Sequence, residues 1–183
     1  GAPAAWMHDV KTNKKHLIHQ DSIDPVYSNS FLSNNEGLVF TSTRNGSQYI
    51  HLFIKNKDTI IDITPGENIR ERFRGVNSDF SGFYYTANNR SPRKFDLYEY
   101  NFEKKSSEMV FQNDTKYSLG MISRNHKFIL LHERKTEEIT NLHLFNIENK
   151  KTINISPTDN GSLFYGIDFS LNGEEIYYLT NYE

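Results

Sequence analysis

The chain has no cysteine, so disulfides are excluded and the sequence carries no mark of a redox compartment. Proline is scarce, 5 residues in 183, and glycine numbers only 10; a collagen-like or Pro/Gly-rich disordered chain is excluded on that composition. No apolar run approaches the roughly 18 residues that a membrane-spanning helix needs. Neither sign of charge dominates, since 21 Lys and Arg are interspersed with 23 Asp and Glu for a net −2. The basic stripe of a protein that grips a nucleic-acid backbone is therefore missing. Also missing are a glycine-rich phosphate loop, a Gly-x-Ser-x-Gly nucleophile elbow and a His-Glu-x-x-His metal motif.

What the chain does have is aromatic rings, 13 Phe and 11 Tyr, within an apolar content of only 36%. Aromatic and β-branched side chains suit a pleated, half-buried surface, and this balance favours an all-β fold. The sequence also repeats. A serine, a short polar turn and an apolar triplet recur as Ser33 with Leu38-Val39-Phe40, Ser78 with Phe83-Tyr84-Tyr85, Ser123 with Phe128-Ile129-Leu130, and Ser170 with Glu175-Ile176-Tyr177. A second column contains Asp9, Asn56, Asn101 and Asn146. Periods of about 40–50 residues with several short strands per unit point to propeller blades.

One unit shows the plan. Arg72 to Asn77 alternates as a first strand, Phe83 to Ala87 reads as a second, Phe95 to Tyr100 as a third, and Glu108 to Phe111 as a short fourth, with turn residues between them. Four antiparallel strands in one period make a blade. The expected architecture is a β-propeller segment over 1–183, with blades at about 25–64, 70–111 and 115–156 and complementary half-blades at 5–20 and 163–183. The half-blades either pair to close a four-bladed ring or flank further blades of a larger propeller. The second arrangement is the expected one, with this chain a fragment of it. Glycine recurs in the first strand at Gly75, Gly120 and Gly166, with Ser30 in the fourth copy, as expected where backbones crowd a central channel.

The hairpin Thr41-Ser42-Thr43-Arg44-Asn45-Gly46-Ser47-Gln48-Tyr49 and the strand-closing phrase Ile61-Asp62-Ile63-Thr64-Pro65 resemble the blade repeat of TolB-type propellers. The same repeat builds the propeller lobe of prolyl oligopeptidase-family serine peptidases, including dipeptidyl peptidase and acylaminoacyl peptidase types. Tyr177-Tyr178-Leu179-Thr180-Asn181-Tyr182 is similar to the same element. The resemblance implies that catalysis belongs to a separate α/β-hydrolase domain, so no catalytic residue is carried over to this chain. It implies a non-catalytic lobe that gates and positions peptide substrates. The alternative is a TolB-like or stand-alone propeller that binds a protein partner. No cofactor, metal, nucleic acid or membrane span is expected, and the compartment is left open between the cytoplasm and the periplasm of a bacterium.

Two sets of arginines are candidate anion or peptide contacts. Arg70, Arg72 and Arg74 alternate, which places them on one face of a strand; on the channel side they would hold a peptide C-terminus or another anion. Arg44, Arg90 and Arg134 recur in the second hairpin of each unit, where they form a ring of cations around one mouth or brace the neighbouring blade. Of the seven histidines, His16 and His19 fall on opposite faces of a strand, and His51, His132 and His143 sit on strands as satisfied or surface imidazoles.

Overall fold

The structure, a computed structural model, describes residues 2–20, 23, 25–32, 37–44, 47–54, 58–63, 69–77, 79, 81–114, 116–156 and 163–181. These residues form antiparallel sheets and contain no helix, let alone one long and apolar enough to cross a membrane. The first sheet is a pair, β1 (Ala5–Asp9) and β2 (Lys14–His19). Three sheets of four strands follow in simple meander order. The first has β3 (Val26–Phe31), β4 (Gly37–Arg44), β5 (Ser47–Ile54) and β6 (Thr59–Asp62). The second has β7 (Glu71–Val76), β8 (Gly82–Ser91), β9 (Lys94–Asn101) and β10 (Ser106–Phe111). The third has β11 (Ser118–Ile122), β12 (Phe128–Arg134), β13 (Thr140–Asn146) and β14 (Thr152–Asn154). A last pair, β15 (Phe164–Phe169) and β16 (Ile176–Thr180), completes the described chain.

Each four-stranded sheet is packed on both faces by its neighbours, and this explains the apolar triplets of the second strands. Side chains alternate across a strand, so a sheet buried on both sides needs an unbroken apolar run. In β4, Leu38 and Phe40 turn to Ala5, Ile18 and Val26, while Val39 packs with Phe83, Tyr85 and Tyr98 of the next sheet. In β8, Phe83 and Tyr85 face back to Val39 and Ile50, while Tyr84 faces forward to Ile129 and Leu131. In β12, Leu130 turns to Phe164 and Phe169. Four such cores join five sheets. Each fully buried Leu or Phe contributes about 1.5–3 kcal/mol. On the two outward faces the corresponding residues are bare: Trp6 is 57% exposed, Tyr177 60% and Leu179 57%.

The first strand of every unit carries a bulge at the same place. Pairing slips between Tyr27 and Asn29, Phe73 and Gly75, Leu119 and Ile122, and Tyr165 and Asp168. Gly75 sits here with φ 145°, and a Cβ built on it would meet nothing within 4 Å. Its reason is therefore backbone conformation and not the crowding expected from sequence. At Gly120 space does matter, because a Cβ would come within 3.0 Å of His132 Nε2 and of the Leu130 carbonyl.

The turn after the first strand corrects the phase of the serine column. Ser123 N–H donates to the Phe128 carbonyl, Ser170 N–H to Glu175, Asn77 N–H to Gly82 and Leu32 N–H to Gly37. Asn77, not Ser78, is thus the equivalent of Ser123. Ser123 Oγ accepts from Phe128 N–H at 3.0 Å, and Asn77 Oδ1 does the same for Gly82 N–H at 2.9 Å. Ser33 and Ser78 lie outside the described residues. The second column closes the turn between third and fourth strands: Asp9, Asn101 and Asn146 each accept backbone N–H groups two or three residues ahead. Asn56 also lies outside the described residues.

Candidate cation-lined cleft between two blades

The second and third four-stranded sheets do not close against each other along their full width. Between them opens a cleft of about 500 Å³ whose walls include Arg72 and Arg74 of β7, Arg93 of the β8–β9 turn, Lys116 before β11, and His132 and Arg134 of β12. A volume of that size lies in the range of small-ligand sites. Phe95, Tyr117 and Leu119 add apolar wall. The residues come from opposite sides of an inter-sheet gap, so no local sequence window contains them.

The bulge in β7 matters here. Arg72 pairs with Thr86 across the strand, while Arg74 has no register partner on β8. Arg74 nevertheless lines the same cleft as Arg72, and its Nε donates to Thr86 Oγ1 at 3.3 Å. Burial, and then the neighbouring charge of Arg72, pull the Arg74 pKa below that of a free guanidinium. Its charged form is thus held in a place that disfavours it. Burial likewise lowers the pKa of His132, so the site disfavours a positive charge on that ring.

Negative charge does not balance this wall. Among the described residues no carboxylate lies within ion-pair distance of Arg72, Arg74, Arg93 or Arg134; Arg134 Nε donates only to the Thr136 carbonyl at 3.2 Å. Glu133 and Asp114, which adjoin cleft residues in the chain, are committed elsewhere. Glu133 is buried and takes Lys135 at 2.7 Å, His143 at 2.9 Å and Lys116 at 3.3 Å. Burial alone would push its carboxyl up, but those hydrogen bonds outweigh it and hold the pKa at about 2. Asp114 is taken by Lys94 at 3.0 Å and Arg90 at 3.2 Å, and hydrogen bonds from Lys94, Gln112 and Arg90 hold its pKa at about 2.

The structure therefore separates the six candidate arginines. Arg72, Arg74 and Arg134 come together in the cleft. Arg90 does not join them: it forks onto the fully buried Asp96 through Nε at 2.7 Å and Nη2 at 2.8 Å, and its Nη2 also donates to the Asn113 carbonyl at 3.2 Å. It is a brace inside one sheet and onto the segment that enters the next. Arg70 is exposed, lines neither described cleft, and contributes its backbone N–H to Asn88 Oδ1 at 2.6 Å. Arg44 ends β4, and its side chain lies outside the described residues. Sequence reasoning missed Arg93, Lys116 and His132; the small residue Gly120 beside the His132 ring was the one local signal of the last.

A second cleft of about 440 Å³ is lined by the first strands β7, β11 and β15, with Arg74, Gly75, Met121, Ile122, Asp168 and Phe169 among its walls. First strands thus converge on one side of the array. A Ser-His-Asp grouping that sequence reasoning also missed lies elsewhere, in the first four-stranded sheet. Ser42 Oγ is 2.7 Å from His51 Nε2, but Asp62 Oδ1 is 3.9 Å from His51 Nδ1. That is too long for the orienting hydrogen bond a catalytic triad needs. The His51 ring stacks on Phe40 at 5.0 Å and on His19 at 5.9 Å, those two rings lie 5.4 Å from each other, and Ser42 is buried. The group packs sheets together. No set of three or more His, Asp and Glu side chains among the described residues is placed to hold a metal ion.

Comparison with known proteins sets this geometry in a family. Searched against curated proteins, the chain found no match. Among solved structures it is similar to TolB from Acinetobacter baumannii, at TM-score 0.63 and 19% identity over 94% of this chain and 42% of that one. It is similar to a prolyl endopeptidase structure at TM-score 0.70 and 11% identity, over 97% of this chain and 29% of that one. An oligogalacturonate lyase in complex with manganese superposes at TM-score 0.69 and 14% identity, over 92% of this chain and 48% of the other. The chain thus spans less than half the length of each. At these identities the likenesses establish the propeller fold and nothing about activity. In sequence, residues 5–139 match the family described as the dipeptidyl peptidase IV (DPP IV) N-terminal region, and with most of its length inside that match the chain belongs to this family.

Proposed function

We propose that the chain is the non-catalytic propeller part of a prolyl oligopeptidase-like serine peptidase. In this reading it restricts access to short, unfolded peptides and positions them for an α/β-hydrolase domain that lies outside these 183 residues. The observation that carries the reading is the family match over residues 5–139. The lack of a Gly-x-Ser-x-Gly elbow supports it, since the lobe needs no nucleophile of its own. Steric gating contributes to specificity without supplying a proton or a bond-forming atom.

The test uses the natural protein that carries this chain. Fluorogenic peptides of rising length, and a folded protein of similar sequence, are offered as substrates. The reading expects cleavage of short peptides, a steep fall with length, and no cleavage of the folded substrate. Equal cleavage of folded and short substrates overturns the gate. Absence of any cleavage, together with capture of a protein partner through the propeller, would favour the TolB-like binding module instead.

A further inference from the structure

We infer that the cleft between the second and third four-stranded sheets is a binding site for the carboxylates of an acidic peptide segment. Four guanidinium groups, Arg72, Arg74, Arg93 and Arg134, meet there from both walls without a carboxylate partner among the described residues. A planar guanidinium presents paired N–H donors that match the two oxygens of a carboxylate, and several of them favour a ligand with several such groups. Glu133 and Asp114, next to Arg134 and Asn113 in the chain, are already spent on Lys116, Lys135, His143, Lys94 and Arg90, and Asp168 borders the second cleft, not this one, so none of the three neutralises the arginines within this cleft. The apolar wall of Phe95, Tyr117 and Leu119 offers surface to the methylene parts of acidic side chains and to a peptide backbone. The choice of a peptide as the source of the carboxylates rests on the peptidase reading above; the anion site itself rests on the cleft.

The probes are a capped tetraglutamate peptide, its tetraglutamine counterpart and inorganic phosphate, each titrated into the protein by calorimetry at one ionic strength near 0.1 M, where distant surface charges are screened over about 10 Å. Tetraglutamate is expected to bind at least roughly tenfold more tightly than tetraglutamine and than phosphate. Arg93 and Arg134 are exposed and in no ion pair among the described residues, so the double variant Arg93→Gln/Arg134→Gln keeps the fold, which its melting curve checks. It is expected to weaken tetraglutamate by about tenfold. Lys127→Gln/Lys151→Gln removes the same net charge from exposed positions that line neither described cleft, and is expected to change binding by less than about twofold. Equal affinity for the two peptides overturns the proposal. So does an equal loss in the two double variants, which would mean diffuse attraction, and so does phosphate binding as tightly as tetraglutamate, which would mean a phosphate site. No bond is cleaved in this titration, so a failed cleavage assay leaves its result standing, and a failed titration leaves the peptidase reading to its own test.

Discussion

At the scale of single residues, two glycines of one sheet are fixed for different reasons, and the difference can be measured. A Cβ at Gly82 would lie 1.9 Å from the Tyr100 carbonyl oxygen, which is backbone of the paired strand β9 and has nowhere to go. At Gly75 there is open space, but φ is 145°. Gly75→Ala is expected to cost about 1–3 kcal/mol in chemical denaturation, from backbone strain alone. Gly82→Ala should exceed the about 1–3 kcal/mol of ordinary overpacking, because it forces two hydrogen-bonded strands apart. Equal costs would mean that the β8–β9 contact is looser than described. The arginines divide in the same manner. Arg90 is the partner of a carboxylate with no exposed surface, and its removal leaves Asp96 buried without a counter-charge, held by the Asn113 N–H at 2.7 Å. Arg90→Ala is expected to lower the melting temperature by roughly 10 °C, and Arg93→Ala by no more than about 2 °C. From sequence alone Arg90, Arg134 and Arg44 formed one recurring column. Only the position of Asp96, six residues along and inside the sheet, separates the brace Arg90 from the cleft-lining Arg134.

At the scale of the strand and its sheet, Glu133 ties β12 to β13 through His143 and to the segment before β11 through Lys116. Its carboxyl is held at about 2, below the ordinary 4.5. A depressed folded-state pKa contributes stability that is present above the unfolded value and is lost as pH falls from about 4.5 through about 2. The native protein should therefore be more stable than Glu133→Gln at pH 7, and the gap should shrink across that window; melting curves at pH 7, 4 and 2.5 measure it. A gap that stays constant would mean that Glu133 keeps its ordinary pKa. Elements of this kind were readable unevenly. The second strands were legible because both faces are buried, which leaves an unbroken apolar run such as Phe83-Tyr84-Tyr85. Their ends were not: β8 was expected to stop at Ala87, yet it runs to Ser91, because Arg90 forks onto Asp96 and Asn88 accepts the Arg70 N–H. The bulges of the first strands left only a trace, the recurring glycine, because slipped pairing is a relation between two strands. The phase error at Ser78 arose likewise, from a hydrogen bond that Asn77 makes to Gly82.

At the scale of the molecule, the repeat is a stack in which every interior sheet exists to cover its neighbours. That was visible in the sequence as a period of apolar triplets. The cation-lined cleft was not, because Arg72, Arg93, Lys116 and Arg134 are brought together only when one sheet is laid on the next. Because the central pairs β4–β5, β8–β9 and β12–β13 lie between two packed faces, their amide hydrogens should exchange most slowly. Those of the short outer strand β14, whose side chains are all exposed, should exchange faster by orders of magnitude. Uniform exchange would argue against an array of stacked sheets. The functional account makes a sharper claim, that the chemistry belongs to a serine outside these residues. Labelling the natural protein that carries this chain with a serine-directed fluorophosphonate, then mapping the adduct by mass spectrometry, tests it directly. The account predicts an adduct on a serine beyond the 183 residues. An adduct on Ser42, beside His51, or no adduct at all, would contradict it.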